Sequence, residues 1–147
     1  MTVVAWDGKT LAADRLVCAG NMRATTTKVV RHGEELIGFC GSLPIAAELR
    51  NWYLAGADPD MFPSNADGDE SSELIVVKRD GQLHVYAGSY MPFEIEDDVC
   101  AFGAGGEAAM GALLFGATAE EAVAIASKVN ITCGNGIDVL HLNEVLH

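Results

Sequence analysis

The sequence predicts an α+β fold with antiparallel pairing, most simply two sheets covered by helices on their outer faces. Three observations predict it. The turn dipeptides Asp7-Gly8 and Asp80-Gly81 each separate two short apolar runs, which is the signature of a hairpin. Helical periodicity is confined to three stretches, one after Pro44 and two between Gly103 and Val129. The resulting order is hairpins, helix, hairpin, two helices and a last strand. No internal repeat and no linker divides the 147 residues, so 1–147 is expected to be one domain with a core of its own.

The elements follow in order. Residues 2–6 read as a buried strand, and Asp7-Gly8 turns the chain into a second strand at Thr10–Asp14. If the hairpin pairs in register, Asp14 ends beside the point where Thr2 begins. Ala12 and Ala13 leave room for close packing. Residues 15–21 read as a short strand or turn around Gly20-Asn21, and residues 22–27 as a loop or an extended edge. Lys28 to Arg31 starts a strand, His32-Gly33-Glu34 turns it, and Glu35 to Cys40 returns before Gly41-Ser42. Pro44 suits the first turn of a helix, where its missing N–H costs nothing. Ile45, Leu49, Trp52 and Tyr53 follow at helical spacing, and Gly56 ends the run. Residues 57–72 are acidic and contain Gly, Pro and Ser, the composition of a mobile insert. Asp80-Gly81 then joins strands at 73–78 and 82–87, and residues 91–98, with Pro92, read as a connection. A short strand at 99–103 leads into a glycine-opened, alanine-rich helix. Thr118 with Glu121 three residues on is a capping box that starts the next helix, running to about Val129. Gly134 and Gly136 turn the chain into a last strand, IDVLHL.

Composition narrows the function. Half the residues are hydrophobic and the mean hydropathy is +0.20, rich for a small chain, which implies a two-layer core or surface buried between subunits. No apolar run reaches 18 residues and the N-terminus lacks a basic region followed by an apolar stretch. A membrane span and a signal peptide are therefore not expected, and the expected location is cytoplasmic. Cys18, Cys40, Cys100 and Cys133 form no CxxC pair, which fits reduced, buried thiols. His32, His84, His141 and His147 show no HxxxH spacing, so no metal and no cofactor are expected. A net charge of −12 opposes nucleic-acid binding, which needs a basic surface. The glycines at 103–106 could hold an anion at a helix start, but no Gly-Lys-Ser/Thr follows to make a phosphate loop.

The first residues carry the chemistry. If Met1 is removed, the chain begins with a threonine, which holds a nucleophile and a base in one residue. Its hydroxyl can attack a carbonyl and its α-amine can take the proton. A free α-amine titrates near ~7.7–8.0, close to working pH. Only Met1 precedes Thr2, and a small second residue permits its excision. Retention of Met1 would turn that amine into an amide and abolish the base.

These residues and their order resemble a family. Thr2, LAADRLVCAGN around Asp14, TKVVR around Lys28, IGFCGSLPIAAEL, SELIVV, DGQLHVY, FGAGGEAAMGALL and CGNGIDVLHL are similar, in this order, to proteasome β-type and bacterial HslV-type subunits, which are N-terminal-nucleophile (Ntn) hydrolases. The resemblance implies a four-layer αββα sandwich of two antiparallel sheets flanked by helices. It implies threonine-type peptidase activity on a peptide or unfolded protein, assembly into a homo-oligomeric ring, and a possible AAA+ unfoldase partner. It assigns Thr2 as nucleophile, Lys28 as the cation that lowers the pKa of the terminal amine, and Asp14 as the group that holds Lys28. The backbone N–H of Gly41, or of Cys40, becomes the oxyanion donor.

The chain departs from the family pattern at three supporting positions. Ala104 stands where a serine hydroxyl is usual, Asn130 where an acid is usual, and Cys133 where a second hydroxyl is usual. The acidic loop 57–72 replaces most of a second helix, so the chain reads as a shortened form. Two alternatives to an active peptidase follow: a weak or inactive structural subunit of the same fold, and an Ntn amidase for a small amide. Singly, Lys28 is a common solvated strand residue and Asp14 a common turn residue. Their joint spacing from Thr2 is what favours a site.

Overall fold

The structure, a computed structural model, describes residues 2–143; Met1 and residues 144–147, His147 among them, lie outside the described residues. Strands β1 (Val4–Trp6) and β2 (Thr10–Asp14) form the first hairpin, β3 (Leu16–Ala19) and β4 (Met22–Thr25) the second, and β5 (Val29–His32) and β6 (Glu35–Cys40) the third. Helix α1 (Leu43–Leu54) follows, then β7 (Glu73–Val77), β8 (Leu83–Ala87), β9 (Phe93–Ile95) and β10 (Cys100–Phe102). Helices α2 (Gly106–Leu114) and α3 (Ala119–Val129) precede β11 (Ile137–His141). All pairings are antiparallel. One sheet has the order β10-β1-β2-β11, a second β5-β6-β7-β8-β9, and β3–β4 stands as a two-stranded ribbon.

The two-residue period of the strands sorts the side chains into three cores. Val4, Trp6 and Leu11 point from the four-stranded sheet onto Val29, Ile75, Val77 and Val85 of the five-stranded one. Val3, Ala5 and Ala12 point the other way, onto Ala109 and Leu113 of α2 and Ala122, Val123 and Ala126 of α3. Ile37, Leu74 and Val76 leave the outer face of the second sheet to meet Leu49 and Trp52 of α1. The layers are therefore α2/α3, sheet, sheet, α1: the four-layer αββα sandwich. Each fully buried Leu, Val or Ile contributes about 1.5–3 kcal/mol relative to exposure. Small residues let the sheets approach. A Cβ on Gly38 would stand 3.1 Å from Val4 and 3.3 Å from Val29. Among the described residues no helix is long and apolar enough to cross a membrane.

Four details differ from the sequence reading. The first turn is centred on Gly8-Lys9, not Asp7-Gly8. Asp7 instead flanks it, its Oδ1 accepting the N–H groups of Lys9 at 2.9 Å and Thr10 at 2.8 Å, while Gly8 takes the positive φ of 95°. Its other oxygen accepts the Ala119 N–H at 2.9 Å, so one aspartate closes the hairpin and helps cap α3. Residues 16–25 form a complete ribbon. The connection at 91–98 contains β9, an edge strand on β8, and Pro92 stands just before it, where no ladder N–H is needed. Finally, residues 57–72, read as a mobile insert, are anchored to the fold. Trp52 Nε1 donates to the Asp58 carbonyl at 2.7 Å, Trp52 meets the Phe62 ring edge-on, Ala66 and Ser72 are fully buried, and Gly68 N–H donates to the Gly88 carbonyl at 2.8 Å.

The capping box holds, whereas of the four thiols expected to be buried Cys18 is exposed and Cys100 only half-buried. Thr118 accepts the Glu121 N–H and Glu121 accepts the Thr118 N–H, which completes the capping box of α3. Leu113 is core, whereas Leu114 is 71% and Phe115 96% exposed.

Candidate active site

Asp14 is the centre of the site. It ends β2 one position beyond the Val4–Ala13 pair, so it faces Val3 across the hairpin. The Asp14 N–H donates to the Val3 carbonyl at 3.2 Å, and Asp14 Oδ1 accepts the Val3 N–H at 3.1 Å. The same oxygen accepts Lys28 Nζ at 2.8 Å. Lys28, immediately before β5, is thereby brought from the second sheet to the start of the first, against the Thr2–Val3 peptide. Asp14 Oδ2 accepts the N–H groups of Leu16 at 3.3 Å and Gly134 at 3.0 Å.

Thr2, Asp14 and Lys28 are all buried, at 1%, 0% and 1% exposure. Taking two charges out of water costs several kcal/mol per ion unless the pair is close and its remaining hydrogen-bonding capacity is filled. Asp14 meets that condition with four donors. Thr2 is held from behind: its carbonyl accepts the Gly105 N–H at 3.1 Å, and a Cβ on Gly103 would stand 2.2 Å from that carbonyl oxygen. Gly103, with φ at 90°, is thus required both by backbone conformation and by the closeness of Thr2. The N–H groups of Gly105 and Gly106 are given to Thr2 and Gly103, so the helix start serves the N-terminal strand rather than an anion.

Cys40 ends β6 and Gly41 follows it. Phe39 N–H donates to the Lys28 carbonyl at 3.1 Å. N–H groups alternate along a strand, so that of Gly41 turns to the Lys28 edge, while that of Cys40 turns towards its partner Glu73 on β7. Gly41 takes φ of 95°, and a Cβ there would meet the Ser71 carbonyl at 2.4 Å.

The three divergent positions have definite contacts. Asn130 Nδ2 donates to the Ala104 carbonyl at 3.1 Å, and its Oδ1 accepts the Thr132 N–H at 2.9 Å and hydroxyl at 2.6 Å. Asn130 therefore ties the segment after α3 to the glycine turn that holds Thr2. Ala104 is exposed and contributes its carbonyl. Cys133 is buried, and a Cβ on Gly105 would lie 2.9 Å from its Sγ. Burial pushes the Cys133 thiol up, and the Asp14 charge adds to this. The Cys40 thiol is pushed up to about 12, by burial first and by the Glu73 carboxylate second. Both stay protonated near neutral pH and pack as small apolar side chains. No group of three or more His, Cys, Asp or Glu side chains suited to a metal ion occurs among the described residues.

Sequence reasoning did not single out Gly134 as a donor to Asp14, the closeness of Gly103 to Thr2, or Ser72. The Asp69-x-Ser71 turn signature was the only local hint of the last.

No protein-family model matches the sequence, and no curated protein matches it. Solved structures do. BPH from Thiobacillus denitrificans superposes with a TM-score of 0.67 at 18% identity, over 97% of this chain and 99% of that one. BPH in complex with epoxomicin gives 0.67 at 17% identity, over 98% and 100%. HslV from Trypanosoma brucei gives 0.66 at 23% identity, over 96% and 98%. Across nearly its whole length, the chain has the HslV/proteasome-like Ntn-hydrolase fold.

Proposed function

We propose that this chain is a subunit of a proteasome-like threonine peptidase, active once Met1 is excised. The observation that carries the proposal is Asp14 Oδ1, which accepts both Lys28 Nζ and the Val3 N–H and so fixes a buried cation beside Thr2. The fold shared with HslV and BPH supports it.

The reaction follows from these positions. Thr2 Oγ attacks the peptide carbonyl carbon while the Thr2 α-amine takes the hydroxyl proton. Negative charge develops on the carbonyl oxygen, where the Gly41 N–H is the better-aimed donor of the two considered, because the Cys40 N–H turns to β7. The amine returns its proton to the leaving nitrogen, the C–N bond breaks, and an ester to Thr2 remains. Water, deprotonated by the same amine, attacks the ester carbonyl, the acyl C–Oγ bond breaks, the amine returns the proton to Thr2 Oγ, and the acid is released. Lys28 and Asp14 act as fixed charges in this scheme.

A ring of like subunits, peptide or unfolded-protein substrates, an ATP-driven unfoldase and a cytoplasmic setting belong to the same reading. Exposed Leu114, Phe115, Val129 and Ile131 near the ends of α2 and α3 supply apolar surface for subunit contact. A second reading, an inactive subunit of the same fold, is favoured by the missing hydroxyl at Ala104.

Intact mass of protein from its native cell, followed by incubation with epoxomicin, tests the proposal. Epoxyketones present electrophilic centres suited to a hydroxyl and an amine on one residue. The expected result is loss of Met1 and one adduct in the chain, absent in Thr2→Ala. Retained Met1, or no Thr2-dependent adduct, would leave the inactive subunit.

A further inference from the structure

The segment 68–72 packs against the Gly41 turn in a way that the scheme above does not use. Ser72 is fully buried, although it is a small polar residue at the end of an acidic loop. Its hydroxyl accepts the Ser42 N–H at 3.1 Å and donates to Asp69 Oδ2 at 3.2 Å. Asp69 Oδ1 in turn accepts the N–H of Ser71 at 2.9 Å and its hydroxyl at 2.5 Å. The chain of bonds therefore runs in one direction, from the Ser42 amide through Ser72 to a carboxylate.

Two glycines make room for it. A Cβ on Gly41 would stand 2.4 Å from the Ser71 carbonyl and 2.6 Å from Ser72 Cα. On the opposite side, a Cβ on Gly88 would stand 3.2 Å from the Glu70 side chain and 3.3 Å from the Gly68 backbone, and Gly88 accepts the Gly68 N–H. Segment 68–72 is thus seated between the ends of β6 and β8. Ser42 also begins α1, but its own side chain makes no capping bond, so Ser72 supplies a bond at this helix start from outside.

We propose that Ser72 and Asp69 are positioning residues for peptide-bond hydrolysis, holding the Gly41–Ser42 turn so that the Gly41 N–H stays aimed at the reacting carbonyl oxygen. The physical reason is that Gly41 has no side chain to restrict it. The Gly41 N–H belongs to the peptide that follows Cys40, where the β6 ladder ends and the strand is anchored from one side only. The Ser72 bond to the next amide, at Ser42, anchors the chain on the other side of Gly41, whose φ is 95°; without it, that last peptide of the strand is free to fray and carry the Gly41 N–H with it. A donor displaced by about 1 Å can lose on the order of a hundredfold in rate. The inference rests on the reading of Thr2 as nucleophile and Gly41 as donor.

The test compares wild type, Ser72→Ala, Asp69→Asn and Tyr53→Phe. Each is incubated with epoxomicin and the adduct followed by intact mass, which separates the limiting rate of inactivation from the half-saturating concentration. Hydrogen exchange at the Ser42 amide is measured in parallel. Attack on the ketone creates an alkoxide, so the limiting rate reads the oxyanion donor. Ser72→Ala should lower the limiting rate about tenfold to a hundredfold with half-saturation little changed, and should speed exchange at Ser42. Asp69→Asn still accepts from Ser72 and should lower the rate less. Tyr53→Phe, a destabilising change on α1 away from the turn, should leave it unchanged. If Ser72→Ala does not fold, a lowered rate in Asp69→Asn supports the proposal and a wild-type rate there overturns it. A wild-type rate in Ser72→Ala despite faster exchange overturns the proposal while leaving Thr2 as nucleophile. No reaction in wild type that has lost Met1 overturns both.

Discussion

At the scale of single residues, Asn130 changes meaning between sequence and structure. In the sequence it stands as an acid that has lost its charge. In the structure its Nδ2 donates to the Ala104 carbonyl while its Oδ1 accepts two bonds from Thr132, a division of labour that a carboxylate cannot perform. The departure is thus a replacement of one support by another. Replacing Asn130 with Asp should cost about 1 kcal/mol in unfolding free energy, since the bond to Ala104 is lost while Thr132 keeps its acceptor. Replacing it with Ala should cost more, about 2 kcal/mol, because the Thr132 N–H loses its partner as well. Urea denaturation midpoints for the two variants check the order; an Asp variant weaker than the Ala variant would contradict it. The place of Asp14 beside the first residues was legible because it depends only on the first hairpin being in register, whereas Lys28, which comes from the other sheet, was named through the family resemblance. Ser72 was not legible, because nothing within five residues of it reveals that Ser42 lies alongside.

At the scale of elements, most boundaries could be read from local chemistry: the capping box at Thr118, Pro44 in the first turn of α1, and Asp80-Gly81 between β7 and β8 all act within a few residues. The elements that were missed are those created by tertiary contact. β9 has only three residues and no alternation of its own, and exists because β8 offers it an edge. The loop 57–72 is polar enough to read as an insert, yet Trp52, Gly41 and Gly88 hold it down. The turn before α2 shows how little slack such contacts leave. Gly103→Ala places a methyl group 2.2 Å from the Thr2 carbonyl oxygen at a φ of 90° that side chains rarely adopt. The expected loss is about 2–4 kcal/mol, with β1 displaced from the turn. Thermal unfolding measures it, and faster exchange at Gly105 N–H, the donor to Thr2, localises it. A variant as stable as wild type would show that the turn can yield.

At the scale of the whole molecule, a network on the outer side of the second sheet contributes to the response to pH. Tyr53 on α1 donates to Glu35 at 2.6 Å, Lys78 lies 2.6 Å from the same carboxylate and donates to the Tyr53 oxygen at 3.2 Å. Burial, then the Glu35 bond, pushes the Tyr53 phenol up to about 12. The Glu35 bond, offset in part by burial, raises Lys78 as well. For Glu35, burial acts upward, but the bonds from Lys78 and Tyr53 outweigh it and hold the carboxyl below its usual range. The signs follow. Groups raised on folding stabilise fully below their unfolded values, about 10 for tyrosine and lysine, and lose that contribution as pH rises towards their folded values. Glu35 contributes at neutral pH and loses its contribution as pH falls through its lowered value. This network should therefore lose its contribution from about pH 10 to about pH 12, on top of the loss from the raised thiols of Cys40 and Cys133, and the decline should be less steep in Tyr53→Phe, which itself should cost about 1 kcal/mol at neutral pH. Denaturation midpoints at a series of alkaline pH values decide it; parallel curves for wild type and variant would remove Tyr53 from the account.

The sheet order β10-β1-β2-β11 has a consequence for the way the chain is made. The first hairpin is completed on both sides by strands from the last third of the sequence, and Asp7 meets Ala119 only after 112 further residues. A ribosome delivers the threonine end first, but its neighbours arrive last. Such long-range closure is slow compared with local hairpins and helices. Through most of synthesis, Thr2 and Val3 sit on a two-stranded ribbon that is marginal by itself. The buried pair of Asp14 and Lys28 lacks the Gly134 N–H until the end of the chain has been translated. The surroundings that bury Thr2 and Val3 are thus completed only when the final strand has been made and has closed against β2.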